Sequence, residues 1–168
     1  MFALFESLAS DSRIWIFQAN RPFTADELMI VNQRLREFTD GWVAHGSPLK
    51  TSYTIPFDHF IVLAADEAHQ SASGCSIDSS VRVLKSLEQS FGMDLFDRNR
   101  VAFRIAGRIV LLPLRELKQK FQEGILNEDT LTFNNLVSTK SEFEHRWIIP
   151  AGETWLRRYL IDPLVKVK

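Results

Sequence analysis

The chain has 168 residues, 45% of them hydrophobic, which suits one domain with a substantial core. Twenty Lys and Arg nearly cancel 21 Asp and Glu, so the total charge offers no field for nucleic acid or an anionic membrane. A single cysteine excludes an internal disulfide and a cysteine-based zinc cage.

The start, MFALFESLASDSR, is apolar but has no basic residue ahead of its apolar part, and Glu6 interrupts the run, against a signal peptide. No stretch approaches the roughly 20 apolar residues that span a bilayer, so the expected address is the cytoplasm. Residues 1–12 are expected as a short helical turn or loose arm, with Phe2, Leu4, Phe5 and Leu8 docking on the body. Arg13 to Ala19 is short and rich in β-formers, which predicts a strand ended by Asn20-Arg21-Pro22. Thr24 and Glu27 form a capping box, and the helix behind them aligns Leu28, Val31, Leu35, Phe38 and Trp42 on one face.

His45-Gly46-Ser47-Pro48 reads as a loop, Leu49 to Pro56 as a strand, Phe57-Asp58 as a turn and His59 to Ala65 as a strand buried on both faces. Ser76 to Phe91 predicts a second helix with Ile77, Val81, Leu84, Leu87 and Phe91 inward and Gly92 as its stop. Val101 to Ile105 and Arg108 to Leu112 pattern as a hairpin turning at Ala106-Gly107, followed by a helix over Leu114 to Glu123. Beyond Gly124, Thr130 to Phe133 alternates weakly, and Leu136 to Trp147 and Thr154 to Leu160 have helical character.

The order strand, helix, strand, strand, helix, strand predicts an α+β fold, a ferredoxin-like split βαβ antiparallel sheet with an extra hairpin strand and a C-terminal helical extension. The expected organisation is a single domain over 1–168: an arm at 1–12, a core at 13–112 and an extension at 113–168. Crossover geometry then brings the loop after the first helix (Trp42 to Pro48) and the loop after the third strand (Asp66 to Ser76) to one end of the sheet, with the Ala106-Gly107 turn beside them and His59 at the far end.

Small polar residues concentrate in the second of these loops. Ser73, Gly74, Ser76, Asp78 and Ser79 sit around a helix start, where free N–H groups and hydroxyls favour a small anion. Ordinary N-capping by Ser76 or Asp78 needs only one of them, and the charge of Asp78 competes with an anion. Cys75 lies where the helix dipole favours a thiolate, which suggests a nucleophile with His45 or His69 as base and Asp66 or Asp78 as orienter. The bland reading makes Cys75 a small residue filling a tight turn. Histidines 45, 59, 69 and 145 show no metal-ligand spacing, so no metal and no cofactor is expected.

Trp42-x-x-His45-Gly46, Phe60-Ile-Val-Leu63, Ser73-Gly74-Cys75-Ser76-Ile77-Asp78-Ser79-Ser80-Val81 and Phe96-Asp97-Arg98 together resemble an uncharacterised bacterial family of Bacteroidetes type. Its members often carry the label ABC transporter ATPase. A nucleotide-binding subunit needs G-x-x-x-x-G-K-[ST], and the sequence has no such loop. Two expectations from different classes follow. One is a non-enzymatic module that binds a small anionic ligand or a protein partner at Ser73–Ser80. The other is a thiol-dependent enzyme with Cys75 as nucleophile and His45 as base. ATP hydrolysis, as in the family label, ranks behind both. Neither nucleic acid nor membrane is an expected partner.

Overall fold

A computed structural model describes residues 1–160, so the last part of the expected extension, 161–168, lies outside the described residues. The chain is α+β, with antiparallel sheets. It divides into two compact units, Met1–Asp97 with Val137–Glu144, and Arg98–Leu136 with His145 onward. No helix among the described residues is long and apolar enough to cross a membrane.

The first unit is built on β1 (Arg13–Gln18), β4 (Lys50–Thr54) and β5 (Phe60–Asp66), in the order β1-β5-β4. The continuous apolar run of β5 explains its central place: all residues from Phe60 to Ala65 are fully buried. On one sheet face Ile61, Leu63 and Ala65 pack with Val31 and Leu35 of α1 (Ala25–Asp40) and Leu84 and Leu87 of α2 (Gly74–Phe91). The capping box forms as the sequence predicts. Thr24 accepts from the Glu27 N–H, and Glu27 accepts from the Thr24 N–H. Gly92 ends α2 in the left-handed region (φ 59°), which its missing Cβ makes inexpensive. The expected loop after α1 instead contains a minimal hairpin, β2 (Val43–Ala44) and β3 (Ser47–Pro48).

One expectation is corrected. The fourth strand of a ferredoxin-like sheet does not come from Val101 to Ile105, which pairs in the other unit. The outer edge of β1 is met instead by Ser138 and Thr139: Ile14 N–H donates to Ser138 O at 2.9 Å, and Arg13 bridges Thr139. The same stretch is stitched to the arm. Lys140 and Ser141 N–H groups donate to Ser12 O and Ser10 O, and the buried Lys140 ammonium donates to Glu6 O and Leu8 O. At the other edge Phe2 pairs in parallel with Thr51, so the arm is not loose.

The second unit holds a four-stranded sheet in the order β7-β6-β8-β9, from β6 (Arg100–Ile105), β7 (Arg108–Pro113), β8 (Leu131–Phe133) and β9 (Ile148–Pro150). The hairpin turns at Ala106 and Gly107, both with positive φ (51° and 75°), the turn whose twist matches the strands it joins. Phe103 packs with Leu117 of α3 (Leu114–Gln122), Leu126, Ala151 and Leu156. Val101 and Ile105 flank this core, so the alternation of β6 finds its apolar partner here, which is why the strand belongs to this sheet. A fourth helix, α4 (Lys140–Arg146), and a 3-10 helix at Trp155–Tyr159 account for the helical character expected near the C-terminal end.

Candidate functional site

The two loops of the first unit meet as the topology requires. Asp66, at the end of β5, pairs with Lys50, at the start of β4. The Trp42 indole N–H donates to the Ser76 carbonyl at 2.8 Å, tying the end of α1 to the first turn of α2. His59, at the opposite end of β5, is remote from this rim, as expected.

The helix begins earlier than the sequence suggests. Ser73, not Ser76, is the N-cap, with extended backbone (φ −89°, ψ 166°) and its hydroxyl accepting from the Ser76 N–H at 3.1 Å. Gly74 and Cys75 therefore occupy the first two helical positions. Ile77 N–H is taken by the Ser73 carbonyl. Among the described residues, the N–H groups of Gly74 and Cys75 have no partner, as the first turn of any helix dictates. Both residues are exposed, no acidic residue stands in that turn, and no atom lies within 4 Å of where a Gly74 side chain would begin.

The hydroxyl cradle is a different matter. Ser76 donates to Ser73 O, Ser79 to Ser76 O and Ser80 to Ile77 O, all at 2.6–2.7 Å. Ser76 and Ser80 are buried in the inner stripe with Leu84 and Leu87, while Ile77 and Val81 are only half-buried. The face predicted for α2 is thus rotated, and the serines return their protons to the helix instead of aiming them at a ligand. Of the donors the sequence offers, the backbone amides remain, and the earlier cap places them at Gly74 and Cys75. Their signal was Ser73 itself, a cap residue three positions ahead of Ser76.

Cys75 is exposed. His45 is also exposed, at the left-handed turn between β2 and β3 (φ 49°), and no hydrogen bond among the described residues joins it to Cys75. His69 and Asp78 are exposed as well. Asp66 and Glu67 shape their own loop. Asp66 accepts from Ala68 N–H at 3.0 Å, and Glu67 accepts from Ala72 N–H at 2.7 Å with Arg13 at 3.8 Å. No group of three or more His, Cys, Asp or Glu side chains among the described residues is placed to hold a metal ion.

Among the titratable groups of this unit that are held from their ordinary range are Glu27 and His59. Glu27 is held at about 2, first by its hydrogen bonds from Arg21 and then by the Thr24 backbone N–H. Burial pushes His59 below its usual 6.5, and its Nε2 is buried without a partner among the described residues. Set beside known protein families, curated proteins and solved structures, the chain matches none.

Proposed function

We propose that this protein is a non-enzymatic binding module whose rim at the start of α2 takes a small anion, a phosphate, sulfate or carboxylate group. The observation that carries the reading is the pair of exposed, uncommitted N–H groups at Gly74 and Cys75, heading an 18-residue helix with no acid in its first turn. Such a terminus presents fixed donors and the positive end of the helix dipole to negative charge. Gly74 leaves room for close approach. Asp78 stands one turn in and is exposed, so its charge weakens the site without closing it.

The test uses thermal unfolding in sodium phosphate against sodium chloride at matched ionic strength, with wild type and Gly74→Pro. Proline at the first helical position removes that N–H while fitting the helix, and Ser73 already has the extended backbone that precedes proline. The expected result is a rise in melting temperature with phosphate that Gly74→Pro diminishes. An identical response in both proteins would overturn the reading.

The thiol reading rests on a separate observation, the exposure of the sole cysteine in the same turn. It requires His45 to act on Cys75. Alkylation of Cys75 in the native protein is expected to proceed at a rate unchanged by His45→Ala. A tenfold fall would favour the enzyme.

A further inference from the structure

The near-neutral total conceals a division between the units. The first holds eight Lys and Arg against fifteen Asp and Glu, whereas the described residues of the second hold ten against five. The second unit is therefore cationic in its own right, although the whole chain carries a formal charge of −1.

Five of its cations and its exposed tryptophan lie on two elements that touch, α3 and the 3-10 helix at Trp155–Tyr159. On α3, Leu114, Leu117 and Phe121 turn to the core, which leaves Arg115 and Lys118 exposed one turn apart. Lys118 is one turn from Phe121, whose ring stacks on Tyr159 at 5.8 Å and 15°. Tyr159 in turn meets Trp155 edge-on at 6.0 Å and lies under the Arg158 guanidinium at 5.7 Å. Trp155 is 41% exposed, while Trp42 and Trp147 are buried. Of the acids nearby, Glu123 accepts from the neutral Gln119 amide at 2.6 Å and keeps its charge, and Glu153 lies 3.8 Å from Arg146. With Glu116, half-buried on α3, and Glu128, whose Cβ lies 3.1 Å from where a Gly152 side chain would begin, that makes four acids close by against the five cations Arg115, Lys118, Lys120, Arg157 and Arg158 among the described residues of α3 and the 3-10 helix.

We infer that this surface binds single-stranded nucleic acid. Arg115, Lys118 and Arg158 face phosphates, and the open Trp155 ring takes an unpaired base. A duplex hides its base faces and an acidic peptide has none, so the exposed indole within a cationic patch favours the single strand over both.

The experiment titrates the full chain with a twenty-residue oligothymidylate, following tryptophan fluorescence at 50 and 200 mM salt. Heparin and polyglutamate serve as polyanions without bases. Expected are quenching on binding and an affinity about thirtyfold lower at the higher salt if three or four cations engage phosphates. Trp155→Ala, its fold checked by circular dichroism, is expected to bind about tenfold more weakly. Arg115→Ala/Lys118→Ala is expected to flatten the salt dependence. Gly74→Pro is expected to change nothing, which separates this surface from the rim of α2. Absence of binding at 50 mM salt would overturn the inference. So would polyglutamate or heparin binding as tightly with Trp155→Ala without effect, an outcome that points to an acidic protein partner.

Discussion

The two long helices of the first unit begin in opposite ways. At α1 every device is engaged: Thr24 and Glu27 cap each other reciprocally, Asp26 and Glu27 bring negative charge to the first turn, and Arg21 grips Glu27 through both guanidinium nitrogens at 2.8 Å. Arg21 also reaches the Phe91 carbonyl at the far end of α2, so this start doubles as a clasp between the helices. At α2 one hydroxyl caps one amide, and two donors face solvent. The contrast separates a terminus built to hold the fold from one left open to something else.

The largest expected effect comes from breaking the closed start. Glu27→Ala removes one arm of the capping box and the partner of Arg21, and is expected to cost about 2 kcal/mol in urea unfolding. Acid dissects the same contact. Because Glu27 titrates at about 2 when folded against 4.5 when free, its stabilisation is complete above pH 4.5 and fades as pH falls toward 2. His59, lowered by burial, adds an earlier loss: the unfolded chain takes up a proton below pH 6.5 that the folded chain resists, so stability declines from there downward. Urea midpoints measured from pH 8 to pH 3 are expected to fall in these two stages. His59→Phe is expected to remove the upper one and Glu27→Gln to shrink the lower, to which Glu142, held low by the Ser138 and Thr139 backbone N–H groups, also contributes.

Smaller effects belong to the open start. Ser73→Ala is expected to cost about 1 kcal/mol, the ordinary worth of a single cap. Gly74→Pro is expected to alter stability by less than about 0.5 kcal/mol without added anion, since the amide it deletes bonds nothing. A larger loss would mean that the α2 start is as structurally committed as that of α1, and the contrast would fail.

Local chemistry was legible in the residues. The Thr24–Glu27 box, the Gly92 stop, the Ala106-Gly107 turn and the apolar run of β5 each follow from neighbours a few positions apart, and the structure contains all of them. The destination of β6 did not follow. Its alternation suits any half-buried sheet, and the deciding partner, β8, arrives about thirty residues later with only three residues of its own. The inner face of α2 was hidden differently. Serine counts as polar in a binary pattern, yet Ser76 and Ser80 are buried because their hydroxyls bond the preceding turn. That burial removes them from the candidate site and shifts its chemistry from side chains to amides. The charge division was written in the sequence but became visible only once the units were known, because the sum over the whole chain cancels it.

The pairing of Ile14 with Ser138 spans 124 residues, so on the ribosome β1 is made early and its flank is left bare for most of translation. A nascent chain stopped anywhere between residues 98 and 136 carries both helices and all three strands of the first sheet, yet lacks Lys140, whose ammonium pins the arm. Such a fragment leaves the Arg13–Ile14 end of the strand edge unpaired, a template that a neighbouring chain could extend.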